Sequence, residues 1–281
     1  MTVNSLNRQL SNGNPLMYSS RPNSSSRLTA KYGVTWKRFY ILAIFSLINY
    51  CNVAWHHSNT VTRNEIQNMH NLNNSQMYAL KVLYNVLFVP GSILAIILHN
   101  NFSLRVWINT AAFVNAIGAW LIILTMFHYS FIYIGEALWS IVNFTIIYAA
   151  PLLAVKWFED SKRVIVIVFI VSVTFFIADH SYGINYVIFE GVEKKTNDKQ
   201  TALLALFSVK AALSVIAWII GFLAFKSSPK KPPSEASAVY RDDDILGTIR
   251  LLYANRQFML YIVLHILFNS YNELIPNSRD L

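Results

Sequence analysis

Apolar and polar residues along this chain are segregated into blocks. Six runs, Phe39–His57, Tyr78–His99, Val106–Phe127, Phe131–Val155, Val164–Phe189 and Ala202–Phe225, consist mainly of aliphatic and aromatic residues. A helix needs about 20 residues to cross a hydrocarbon layer of roughly 30 Å, so each run predicts a membrane-spanning helix. A shorter, weaker seventh run covers about Phe258 to Ile275. The runs are too long for membrane strands and lack period-two alternation, which argues against a β-barrel. The predicted fold class is an all-α membrane protein.

The polar blocks divide the chain further. Residues 1–35 are rich in Asn, Ser and Arg and poor in large apolar residues, a composition that predicts a disordered tail. Residues 36–225 form the six-helix bundle. The linker, 226–244, carries Pro229, Pro232 and Pro233 and then Asp242 to Asp244, so proline stiffens it and charge keeps it in water. In 245–281, Ile245, Ile249 and Leu252 stand at helical spacing. They form either an amphipathic helix on the membrane surface or the beginning of the seventh span.

Composition agrees with the membrane class: 54% of residues are hydrophobic, 13% are charged and the mean hydropathy is +0.38. The charge of +9 follows a topological pattern. Counting by loops, sixteen Lys and Arg fall with the amino-terminal tail and the loops after spans two, four and six, against five on the opposite side. Basic loops stay inside, which predicts a cytoplasmic amino terminus and linker. Because these residues flank membrane helices, they carry no implication of nucleic-acid binding. Cys51 is the only cysteine and cannot form an intrachain disulfide.

The acid-free, Arg- and Ser-rich start shares features with organellar transit peptides, but its Asn, Gly and Pro oppose the amphipathic helix such peptides need. The plasma membrane is the expected location, with an organellar membrane as the alternative. No cleavable signal is visible, so the first span serves for insertion. Asn73-Asn74-Ser75 is a glycosylation sequon in the outward loop after that span.

Polar residues inside apolar runs are the candidate functional groups. Lys81 lies three residues into span two, where it can snorkel, whereas Lys210 lies eight into span six and is deeper. Glu136, sixth in span four, either pairs with a lysine or lines a cavity. Asp179 and His180 lie fifteen or so residues into span five, about 22 Å along the helix. There Ser181, Tyr182 and Gly183 are expected to end it. Trp55, His56 and His57 close span one, as an aromatic cage for a cation or as an interfacial belt. Asn49, Asn52, Asn115 and Asn143 lie at depths facing protein or a wet cavity, with interhelical hydrogen bonding the commoner role. The candidate binding set is Asn52, Trp55, His56, Glu136, Asn143 and Asn269. No nucleophile with its base, phosphate loop or Cys/His metal set is present, so no enzyme, catalytic residue, metal or cofactor is expected.

Several local patterns carry a resemblance. They are Lys37-Arg38 before Phe45-Ser46-Leu47 and Asn52; Pro90; Phe102, Leu104 and Arg105; Ile117-Gly118-Ala119-Trp120; Gly135; and Pro151 with Trp157-Phe158. Phe225-Lys226, Pro229-Lys230 and Pro232-Pro233-Ser234 then lead into Leu246-Gly247 and Ile249-Arg250-Leu251. In order and spacing, over about residues 36–275, the chain resembles the feline leukaemia virus subgroup C receptor family of major facilitator carriers. The resemblance implies the amino-terminal six-helix bundle of such a carrier plus a partial seventh helix, and a solute such as choline, ethanolamine or haem. Two departures stand out. The family's acid and glycine between spans two and three are here Asn100 and Ser103, and its cage tryptophan is Trp55, one position early, with His56 in the expected slot. Kinship implies transport with the bilayer as partner by a half-length chain, which is expected to be a fragment, a spliced form, or a protomer completed by a second half-transporter or a homodimer. The alternative is a non-transporting scaffold or a subunit of a larger membrane complex.

Overall fold

The computed structural model describes Gly33, residues 35–234, Ser237, Arg256 and Leu260; the side chains of residues 56–61, Lys81, Asp179 and several other positions lie outside that set. Every regular element among the described residues is helical. The helices are α1 (Lys37–His70), α2 (Asn74–Val86), α3 (Phe88–Asn101), α4 (Leu104–Ile123, continued by a 3-10 turn, Leu124–Met126), α5 (Ser130–Trp157), α6 (Asp160–Thr196) and α7 (Lys199–Ala224). Three stretches are long and apolar enough to cross a membrane: Leu104–Met126, Ser130–Trp157 and Lys199–Ala224. The seventh run, the 245–257 segment and Asn269 fall outside the described residues, apart from Arg256 and Leu260.

Three helix boundaries differ from those expected. α1 runs thirteen residues past His57, ending at Asn71 in the left-handed conformation (φ 52°), whose N–H caps Gln67 O. α6 passes through Ser181, Tyr182 and Gly183 without a break and ends at Asn197 (φ 51°). One glycine costs a helix only about 1 kcal/mol. Beyond it, Ile188 and Phe189 pack on the cluster that holds Leu206 and Phe207, which keeps the helix going. The second run, expected as one helix, is interrupted at Leu87 between α2 and α3. Pro90 explains the interruption, because it has no N–H to offer Val86 O.

α5 is the central element, packed on α4, α3, α1, α2 and α6, while α7 packs on α4, α1 and α6. Glycines permit the closest approach. A Cβ on Gly118 would lie 2.7 Å from Trp139 Nε1, and one on Gly135 would lie 2.6 Å from Ile122 Cγ1, so α4 and α5 touch backbone to side chain. Outside, α3, α6 and α7 expose Ile93, Ile97, Val168, Phe169, Ile216 and Phe222, an apolar surface suited to lipid.

The interior divides into two apolar clusters. One contains Phe45, Ile48, Trp107, Ile108, Ala112, Val142 and Ala217; the other contains Trp55, Ile66, Ala119, Ile122, Trp139, Phe207 and Ala211. At the end nearer the first cluster, the helix termini carry a polar lattice. Arg38 pairs with Glu159 (3.7 Å), Arg105 Nη2 donates to Phe222 O (2.9 Å), and Arg163 Nη2 pairs with Asp160 (2.6 Å) and donates to Ser237 Oγ (2.7 Å). With Arg105 N donating to Ser227 Oγ (3.0 Å) and Ser237 Oγ donating to Val155 O (2.9 Å), the first turns of the linker are tied to α4, α5 and α6. At the opposite end Lys199 Nζ meets Glu65 Oε1 at 2.7 Å, joining α7 to the extension of α1.

Candidate functional site

Where the two apolar clusters meet, the buried faces of four helices turn polar. α1 passes from Ile48 in one cluster to Trp55 in the other, and Asn49, Cys51 and Asn52 lie between them. α4 does the same with Asn115 between Ala112 and Ala119, α5 with Ser140 beside Trp139 and Val142, and α7 with Ser214 between Ala211 and Ala217. Helical periodicity creates this layer, since residues three or four apart share a face.

Asn52, 2% exposed, is its main bridge. Its Nδ2 donates to Asn115 Oδ1 at 3.1 Å and to Trp139 O at 3.3 Å, linking α1 to α4 and α5. The Trp139 indole N–H donates back to Asn115 O at 3.3 Å. Asn49 Nδ2 donates to Thr174 Oγ1 at 2.7 Å and so holds α6. The asparagines thus act as interhelical connectors, which deep amides do when no water is near.

Above the amides is an aromatic wall. Trp55, fully buried, stacks on Trp139 with ring centroids 4.5 Å apart and planes 22° from parallel, and Phe207 lies tilted 6.1 Å away. The Trp55 indole N–H donates to Ser214 Oγ at 3.2 Å. The Lys210 side chain enters this wall from α7. It is 8% exposed, its Nζ donates to Ala54 O at 3.0 Å, and its ammonium sits 5.2 Å from the centroid of the Trp55 ring. No ion pair of Lys210 occurs among the described residues. Among the described residues, Lys210 is held by one carbonyl and one ring, with Cys51 close by.

Of the predicted set, Asn52 and Trp55 come together here. Glu136 (1% exposed) and Asn143 lie on the same buried face of α5 as Trp139 and Ser140, whose hydroxyl donates to Glu136 O at 2.6 Å. The His56 side chain and Asn269 lie outside the described residues. Trp139, Ser214 and the placement of Lys210 against Trp55 were not predicted. A signal for Lys210 existed, because Leu203, Phe207, Lys210, Ser214, Ala217 and Gly221 form one stripe at spacings of three and four, and that whole stripe is buried.

Outside the polar layer, an apolar groove of about 430 Å³ runs between α4 and α7, lined by Phe113, Ile117, Trp120 and Trp218 among others. It lies on the exposed side of α4 and has no titratable lining, so it is a surface for lipid rather than a site for chemistry.

Comparison with known proteins yields no matching family model and no matching curated protein.

Proposed function

We propose that this chain is a multi-pass membrane transport protein for a small organic solute, built on the amino-terminal bundle of a major facilitator carrier. The observation that carries the reading is the buried layer in which Asn52, Asn115, Trp55, Trp139 and Lys210 converge from α1, α4, α5 and α7 near mid-span. Polar and ionisable groups at such depth are costly, and in membrane proteins they mark solute or ion paths. Carriers of this type bind at the midplane and rock two bundles about the site. On this reading α1, the α2–α3 pair and α6 are spans as well. Arg38, Arg105, Lys162 and Arg163 gathered at one end support a cytoplasmic placement of that end.

The kinship inferred from the sequence is part of the proposal, and its solutes differ in sign: choline and ethanolamine are cations, whereas haem carries carboxylates. Purified protein in phosphatidylcholine vesicles tests the reading through binding and uptake of radiolabelled solutes. Saturable uptake supports it, and absence of uptake, with or without binding, rejects it. One observation favours the scaffold alternative. In the loop where the family has its acidic latch, an amide, Asn100, stands in place of the acid, and Ser103 Oγ accepts from Val106 N–H (3.5 Å) and so caps α4. Co-purification of a stoichiometric membrane complex, with no saturable solute binding, would favour that alternative.

A further inference from the structure

Trp55 is the residue that an aromatic cage for a quaternary ammonium would use, yet its ring already has a cation beside it. The Lys210 ammonium, 5.2 Å from the ring centroid, occupies the position a cationic solute would seek. A second positive charge brought there would be repelled at short range in a medium of low dielectric. The same arrangement suits a negative charge. Lys210 has three donors, of which Ala54 O takes one, and no described carboxylate pairs with it. Ser214 Oγ accepts from Trp55 Nε1 and is also hydrogen-bonded to Cys51, so Lys210 is the main donor of the layer. Trp55, Trp139 and Phe207 surround these donors with buried rings that pack on one another, so a flat solute enters by parting that stack.

We infer, resting on the carrier reading above, that the solute of this site bears an anionic group: a carboxylate on a small, flat organic body, held by Lys210 beside Trp55. The bound carboxylate supplies the counter-charge that the bundle withholds from Lys210, and the solute's apolar part lies against the tryptophan pair. Selectivity follows from sign, since the chain's own ammonium keeps cations away from the indole face.

Equilibrium binding of radiolabelled benzoate and radiolabelled choline to the full chain in phosphatidylcholine vesicles, which contain no anionic lipid, tests the assignment. Wild-type protein is expected to bind benzoate saturably and choline only weakly. Lys210→Gln should weaken benzoate by roughly 10- to 100-fold, the loss of a charged hydrogen bond. Lys210→Arg, which keeps the charge, should restore most of the affinity. Lys210→Gln should also gain choline binding by roughly 3- to 30-fold as the Trp55 face is vacated. The inference is overturned if wild-type protein shows no saturable benzoate binding, or if it binds choline with an affinity that Lys210→Gln leaves unchanged. Size-exclusion profiles of both Lys210 variants confirm that they are folded. Benzoate binding without uptake would reject the carrier reading and leave the Lys210 assignment standing, whereas choline uptake without benzoate binding would do the reverse.

Discussion

Replacing Gly118 by alanine perturbs a tight contact beside the polar layer. The added methyl would lie 2.7 Å from Trp139 Nε1 and 3.1 Å from its Cδ1, closer than carbon and nitrogen tolerate, so something must move. The Trp139 ring cannot yield freely: its indole N–H is bonded to Asn115 O and its face is stacked on Trp55. Overpacking a filled core costs about 1–3 kcal/mol. Weakening the indole hydrogen bond and the tryptophan pair adds about 1 kcal/mol, while alanine returns about 1 kcal/mol of helix propensity. The expected net effect is about 2 kcal/mol of destabilisation, a fall in Tm of about 4–8 °C for a domain of this size. Gly191→Ala is the control, because a methyl there meets nothing within 4 Å and only the propensity gain remains. Thermal unfolding in detergent, followed by tryptophan fluorescence, should lower Tm for Gly118→Ala and leave it level or raised for Gly191→Ala. A Gly118→Ala protein as stable as wild type would refute the view that Trp139 is locked.

Asn52→Val should cost about 1–3 kcal/mol, since it strands Asn115 Oδ1 and Trp139 O in the interior, and the same thermal assay reads it; an unchanged Tm would mean water reaches the layer. Asp198, the N-cap of α7, is held below the usual aspartate range by the Thr201 hydroxyl and the Gln200 N–H. Its folded value is depressed, so its contribution to stability is full above about pH 4 and is lost as the pH falls through the folded value. Asp198→Asn should therefore reduce the loss of Tm on acidification, and identical pH profiles would contradict the capping role. Arg163→Ala removes the bonds to Asp160, Ser234 and Ser237 and should speed trypsin cleavage after Lys230 by several-fold; equal cleavage rates would show that Arg163 does not hold the linker.

Hydropathy marked the helices well because desolvating a backbone outside a helix is prohibitive in lipid, and apolar runs such as Phe131–Val155 sit almost wholly within α5. The same index missed the ends of α1 and α6. It registers where lipid stops, whereas a helix stops where capping and packing fail, at Asn71 and Asn197. Asn52 and Trp55 were readable as candidates because polar and aromatic residues at depth stand out in one helix. Trp139 was hidden among many aromatics, and its value lies in stacking on a residue 84 positions away. Lys210 was visible as an anomaly, but its contact with Trp55 depends on the crossing of α1 and α7, which local sequence does not encode.

The overrun of α1 and α6 has a mechanical consequence. At 1.5 Å per residue, their 34 and 37 residues make rods of about 51 and 55 Å, roughly 20 Å longer than the hydrocarbon layer. A rod that projects so far magnifies rotation: a tilt of about 5° about the Arg38–Glu159 end would sweep the opposite tip through about 4–5 Å. On the proposed carrier reading, in which α1 and α6 are spans, spin labels at Asn68 and Lys195 would convert a small rocking of the bundle into a measurable change of distance outside the lipid.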